Sequence, residues 1–344
     1  MTASPAEGSS GAERRPATPI TIGAVTVAPG ERRRFEIPVA RLPTQTFLSL
    51  PVSVVHGRHA GPRLWLNSTI HGDELNGIEI IRRVLEALPK KSLRGTIIAV
   101  PIVNVFGFLN QSRALPDGRD LNRSFPGSAR GSLASRVAHL LTEEVIGHCT
   151  HGIDFHTATN HRDNLPQVRC DLDNAEARRI AEAFAAPVAL HSRLRDGSLR
   201  AHAGKRGLAV LVFEGGESQR FNESVIEVGV AGTLRVLAAL GMIKPVERPE
   251  EAPFLARRSS WVRARRGGIL RVTARLGDRV EPGQELGRIS DVFGSDSLRV
   301  KARHSGVVIG INRNPAIHQG DALVHVARRE PAATETETAV RTAS

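Results

Sequence analysis

His71 and Glu74 stand three residues apart in I-H-G-D-E-L at 70–75, directly after an apolar run at 63–69. An imidazole and a carboxylate leaving a strand on one tight turn can converge on a single divalent metal. A second histidine, His156 in I-D-F-H-T at 153–157, also closes an apolar run, as does a carboxylate, Glu214 in V-F-E-G-G at 212–216. A hydrolytic zinc site needs three protein ligands, an open fourth position and a base nearby. His71, Glu74 and His156 supply the ligands for one Zn2+ per chain. Glu214 supplies a strand-end carboxylate that can accept a proton. Singly, each residue has a bland reading: His71 as a turn cap, Glu74 as the start of a solvated helix, His156 as a buried hydrogen-bonded histidine, Glu214 as a helix cap. Their joint placement at strand ends favours the metal.

Bringing positions 71 to 214 into one site requires several strands to end at one edge of a sheet. Short apolar runs at 52–55, 63–69, 96–100, 152–155 and 208–213 read as strands. Apolar residues spaced by three and four predict helices at 75–88, 133–146, 174–184 and 224–240. This alternation predicts an α/β fold, a mixed or mostly parallel sheet with helices on both faces. Its sites lie at the C-terminal ends of strands.

Prolines at 245, 249 and 253 mark a linker. Beyond it, A-R-R-G-G-I-L-R-V at 264–272 resembles A-R-H-S-G-V-V-I-G at 302–310, and Gly277-Asp278 is echoed by Gly320-Asp321. Two similar β units predict a small sandwich or barrel. The organisation is therefore a disordered tail at 1–20, a hydrolase domain at 21–246, a β domain at 253–330 and a second disordered tail at 331–344.

A chain of 344 residues can bury a large core, and its 40% hydrophobic content is that of a soluble globular protein. Cys149 and Cys170 are too few for a disulfide framework and lack metal-type spacing. No segment reads as a signal peptide or a membrane span, so the expected location is cytoplasmic, with no membrane partner. The net charge is +12, and only five of the 47 basic residues are lysines. Residues 254–330 carry 15 basic and 7 acidic groups. No motif with stacking aromatics accompanies them, which favours a solvated arginine-rich face over a nucleic-acid surface. A homo-oligomer is compatible with all of this.

Four motifs in order, I-H-G-D-E-L at 70–75, D-L-N-R-S-F-P-G at 120–127, D-F-H-T at 154–157 and E-G-G at 214–216, resemble the succinylglutamate desuccinylase/aspartoacylase family, a branch of the zinc carboxypeptidase superfamily. The resemblance covers roughly residues 50–242, and the β region after the linker matches the family's layout. It implies a zinc-carboxypeptidase-like mixed sheet with helices on both faces and a small C-terminal all-β domain. It also implies zinc-dependent cleavage of the amide bond of a small-molecule N-acyl amino acid. Carried over by position, His71, Glu74 and His156 match the zinc ligands and Glu214 the general base. Asn122 and Arg123 match the pair that binds a substrate carboxylate, a task suited to a planar guanidinium. Arg113 matches the arginine that polarises the scissile carbonyl, although the Pro116-Asp117-Gly118 turn alters its spacing from Asn122. Asp120 and Asp154 read as holders of the arginine or histidine. Arg200 reads either as a contact to an acidic group of the substrate or as a surface arginine, and His161 is the spare histidine closest to the cleft.

One departure is the absence of tyrosine, which the family uses on its substrate. An arginine of the β domain is one candidate to replace it. L-G-D-R-V-E-P-G-Q-E-L at 276–286 resembles the half-motif of biotinyl and lipoyl carriers, but the hairpin at 291–296 has no lysine to modify. Two other readings are a zinc carboxypeptidase acting on a small peptide and a non-catalytic binding protein that uses its basic β domain.

Overall fold

Strands buried on both faces need near-continuous apolar runs, and the centre of this chain supplies them. The computed structural model describes residues 15–42, 44–89 and 92–329. In chain order the strands are β1 (Ile20–Ile22), β2 (Val25–Val27), β3 (Arg32–Arg41), β4 (Phe47–His56), β5 (His59–Ser68), β6 (Arg94–Val100), β7 (His151–His156), β8 (Arg162–Cys170), β9 (Val188–His191) and β10 (Ala209–Gly216). The helices among them are α1 (Asn76–Ala87), α2 (Val105–Leu109), α3 (Leu133–Glu144), α4 (Ala175–Phe184), α5 (Leu199–Lys205) and α6 (Glu223–Ala239). Nine further strands follow: β11 (Phe254–Ala256), β12 (Arg258–Arg263), β13 (Gly268–Val272), β14 (Arg279–Val280), β15 (Glu285–Ser290), β16 (Ser297–Lys301), β17 (Gly306–Asn312), β18 (Ala316–Ile317) and β19 (Ala322–Arg328).

The five expected strands and four expected helices are all present, with shifted ends. The helix expected at 133–146 stops at Glu144, and Ile146–His148 is a 3-10 turn. Strands β10, β7, β5 and β6 are mutually parallel, while β8, β4 and β3 extend the sheet antiparallel on either side. One face is covered by α1, α4 and α6, which bury Ile80, Ile180 and Val236. The other is covered by α3 and α5, through Val137, Leu141 and Leu199. The mixed sheet with helices on both faces is therefore as expected.

One expectation is corrected at the N-terminus. The tail read at 1–20 is part of the fold from residue 15: Pro16 bridges to His59, and Ile20 starts β1 with its side chain buried. Its first part, and the tail read at 331–344, lie outside the described residues. Residues 245–253 form no regular element, but the strands beyond them do not stand apart from the α/β sheet. Strand β17 pairs antiparallel with β8, and β11 pairs parallel with β9. A four-stranded sheet, ordered β16-β15-β13-β18, completes a sandwich around Leu270, Leu286, Ile289, Val308 and Leu323. The internal repeat is real but shifted. Ala264 exchanges backbone hydrogen bonds with Gly320-Asp321, and Ala302 does so with Gly283-Gln284, so the counterpart of Gly320-Asp321 is Gly283-Gln284, not Gly277-Asp278. Among the described residues, no helix is long and apolar enough to cross a membrane.

Phe184 is fully buried at the end of α4, with its ring 5.4 Å from that of Phe213. Phe184→Ala should cost about 3–5 kcal/mol of stability, seen as a lowered urea midpoint. A midpoint unchanged from the wild type would mean that this face is not the closely packed core described.

Candidate active site

The turn after β5 places the first two candidate ligands. Gly72 meets α2 so closely that a Cβ there would fall 1.9 Å from the Gly107 carbonyl carbon, so this turn accepts only glycine. The backbone folds back on itself, with the Glu74 N–H donating to the His71 carbonyl at 3.1 Å. His156 is the last residue of β7, beside β5. Glu214 is paired with His156 in the parallel β10–β7 register, so the two side chains share one face of the sheet on adjoining strands.

These placements bring His71, Glu74 and His156 together, buried, with one donor atom from each lying within 4.8 Å of the others. Nδ1 of His71 lies 2.8 Å from one Glu74 oxygen, and Nδ1 of His156 lies 2.7 Å from the other. Each ring's Nε2 faces a carboxylate: Asp120 at 3.2 Å for His71 and Asp154 at 2.9 Å for His156. Asp154 also accepts from Asn67, whose own oxygen accepts from the buried Trp65 indole. Burial alone would raise the Glu74 pKa, but the two imidazoles outweigh it and hold the carboxyl well below its ordinary range. Burial opposes the charged form of His156, yet Asp154 and Glu74 raise its pKa well above the usual value. Carboxylates on Nε2 fix both rings with Nδ1 inward, the arrangement that orients metal-bound histidines. Two imidazole nitrogens and a carboxylate form a donor set suited to a catalytic divalent metal.

The other expected residues surround this cluster. Arg113 reaches Glu74 at 3.3 Å and Asp120 at 3.0 Å, which places its guanidinium beside the cluster despite the altered spacing. Asn122 lies in the 3-10 turn Leu121–Arg123, and its side-chain oxygen accepts from the Leu199 N–H at 3.0 Å. Its amide nitrogen makes no hydrogen bond among the described residues, and Asn122 lines the cleft. Arg123 is exposed at the cleft edge and donates to the Asn122 carbonyl. Arg200 lines the cleft, but its guanidinium donates to the Ser192 carbonyl and hydroxyl and to the Arg193 carbonyl, so it braces this loop. His161 is not among the lining residues, and Arg162 and Asn164 take that place. Glu214 does not cap a helix, since Asn222 occupies the cap position of α6. Gly216 follows Glu214 with φ +74°, and a Cβ there would strike Asn222 at 2.3 Å.

Three features escaped the sequence reading. Asn164 and Arg169, both on β8, bind the two oxygens of Glu214 at 3.0 and 3.1 Å. The cleft, about 670 Å³ in volume, has a second wall from the C-terminal strands, including Ser259, Trp261, Arg263 and His325. Trp261 stacks on His325 at 4.5 Å, with the Arg162 guanidinium 5.1 Å from its ring. Burial, then the charges of Arg169 and Arg162, push the His325 pKa down to about 3, so this imidazole is neutral. Eight arginines line the cleft against three carboxylates, Glu74, Asp154 and Glu214.

The family model described as the succinylglutamate desuccinylase/aspartoacylase catalytic domain matches residues 60–240. The N-alpha-acetyl-L-2,4-diaminobutyric acid deacetylase of Halomonas elongata is 28% identical over 293 residues, 81% of this chain and 85% of that protein. The structure of a succinylglutamate desuccinylase/aspartoacylase from Rhodobacter sphaeroides matches with a TM-score of 0.78 at 28% identity, over 88% of this chain and 96% of that one. The product-bound ectoine utilization protein of Ruegeria pomeroyi has the same fold, with a TM-score of 0.77 at 22% identity over 86% and 95% of the two chains. The chain belongs to the succinylglutamate desuccinylase/aspartoacylase family.

Proposed function

We propose that this protein is a zinc-dependent hydrolase that cleaves the amide bond of an N-acyl amino acid. The observation that carries this reading is the convergence of His71, Glu74 and His156 beside Glu214 in a cleft rich in arginine. Activity of the Halomonas relative on an acetylated amino acid supports the same reaction class. His71 Nδ1, His156 Nδ1 and Glu74 would hold the metal. When bound, zinc supplies the Lewis acidity that makes a water nucleophilic near neutral pH.

The remaining work falls to the chain's own groups. Glu214 takes the proton of the attacking water and returns it to the departing amine. Arg113, beside the cluster, meets the negative charge that develops on the acyl oxygen. Asn122 and Arg123 receive the free carboxylate of the amino acid through an amide N–H and a guanidinium fork. All three cleft carboxylates are already engaged, Glu74 and Asp154 with the histidines and Glu214 with Asn164 and Arg169. A cationic side chain on the substrate would find no unengaged carboxylate on the lining and eight arginines around it, so neutral or anionic side chains are favoured over that of diaminobutyrate.

Purified protein should carry one zinc per chain by metal analysis, and the His71→Ala/His156→Ala double variant should carry none. Stoichiometric zinc in the double variant would place the metal elsewhere. Glu214→Gln should keep the zinc and bind substrate, yet lose about 10²- to 10⁴-fold in turnover. Turnover near that of the wild type would assign the base to another group. Because Arg123 is exposed, exchanging the substrate carboxylate for a carboxamide should cost about 1.5–3 kcal/mol in kcat/KM, as expected for a hydrogen bond to a charged group. Equal hydrolysis of acid and amide would remove the carboxylate role from Asn122 and Arg123.

A further inference from the structure

A glutamate acting as a base must present its carboxylate in one orientation, yet its side chain turns about three bonds. At Glu214 both oxygens are tied down: Oε1 to Arg169 Nη1 at 3.1 Å, and Oε2 to Asn164 Nδ2 at 3.0 Å. Each oxygen keeps a further lone pair for a proton. Both partners come from β8, whose antiparallel register with β10 sets Arg169 opposite Val212 and Asn164 opposite Gly216.

Strand β8 is in turn fixed by the C-terminal strands. Gly310 of β17 is paired with Asn164, and a Cβ at Gly310 would lie 3.0 Å from the Asn164 side-chain oxygen and 3.2 Å from the His325 Cβ. Gln167, fully buried, donates to the Ile309 carbonyl of β17 at 3.1 Å and accepts from Arg169 Nε at 3.4 Å. Contacts therefore run without a gap from β17 through β8 to both carboxylate oxygens.

We propose that Arg169 and Asn164, backed by β17, are positioning residues that lock the Glu214 carboxylate for proton transfer. The C-terminal strands thereby become part of the catalytic apparatus as well as a wall of the cleft. This inference rests on Glu214 being the base. The competing role for Arg169 is that of one more arginine for the substrate's charge, and the two roles differ in what they do to KM.

The test uses the zinc-loaded full-length enzyme. Its substrate is whichever N-acetyl or N-succinyl derivative of aspartate, glutamate or 2,4-diaminobutyrate the wild type cleaves fastest. Arg169→Met and Asn164→Ala should each lower kcat by about ten- to a hundredfold, the scale of a misplaced catalytic group, with little change in KM. Zinc content and melting temperature should match the wild type, and Arg169→Lys should recover part of the loss. In a Glu214→Gln background, Arg169→Met should lower kcat no further. Crystal structures should find the Glu214 carboxylate ordered on both partners in the wild type and displaced in Arg169→Met. A raised KM with kcat unchanged would make Arg169 a substrate arginine and overturn the proposal, as would an additive loss in the double variant or an undisplaced Glu214. Failure of the hydrolase reading is separate: it would appear as wild-type protein without zinc or activity, or as a fully active Glu214→Gln.

Discussion

The site depends on one buried charge. The Glu74 carboxylate is enclosed between two imidazoles, and a carboxylate taken out of water is costly unless it is fully paired. Besides the histidines it accepts from the Thr157 N–H at 3.2 Å and from Arg113. Each histidine passes the demand outward, to Asp120 on one side and to Asp154 on the other. Asp154 answers through Asn67 to the Trp65 indole, deep in the sheet. Because Asn67 and Asp154 are partners in the β5–β7 register, the sheet itself sets where the cluster lies. A site anchored in this way inherits the rigidity of the core and not the mobility of its loops.

The C-terminal strands matter for the same reason. Had they formed a body joined only by the linker, their side chains would approach the cleft with a free domain's latitude. Instead β17 and β11 hydrogen-bond into the α/β sheet, which places Trp261, Arg263 and His325 opposite the metal-ligand candidates in fixed register. Trp261 is the aromatic residue on that wall of a cleft that has no tyrosine to offer.

Much of this was legible in the sequence where burial and chemistry leave different marks. Strands β5, β6, β7 and β10 are covered on both faces and stand out as apolar runs. The candidate metal ligands sit in short motifs at the ends of β5 and β7. Strand β8 was missed because its sequence, R-D-N-L-P-Q-V-R-C, is polar and contains Pro166. Its polarity has a cause: Asn164, Gln167 and Arg169 are committed to Glu214 and β17. These polar contacts have displaced the hydrophobic signal there, which is where reading from local pattern is expected to fail. Arg169 and Asn164 carry no motif of their own, and a separation of 50 residues between Asn164 and Glu214 leaves no local spacing to read. The first strands were hidden for a related reason, since the outer half of β3 is arginine-rich and exposed.

The charge of the cleft completes the physical case for an anionic ligand. Its arginines fall into groups by what occupies them. Arg113 and Arg169 are paired with carboxylates, while Arg123 and Arg200 hydrogen-bond to backbone carbonyls that cannot neutralise them. Arg162, Arg193 and Arg195 form no ion pair among the described residues, and the only nearby imidazole of that wall, His325, is neutral. Burial is the main cause that lowers the Arg200 pKa, with Arg169 and Arg195 adding to it and Cys170 and Asp171 opposing it. Cations gathered around a cleft repel one another, and their mutual repulsion is relieved by whatever anion enters. An anion entering the cleft would therefore bring the charge that the folded chain does not supply.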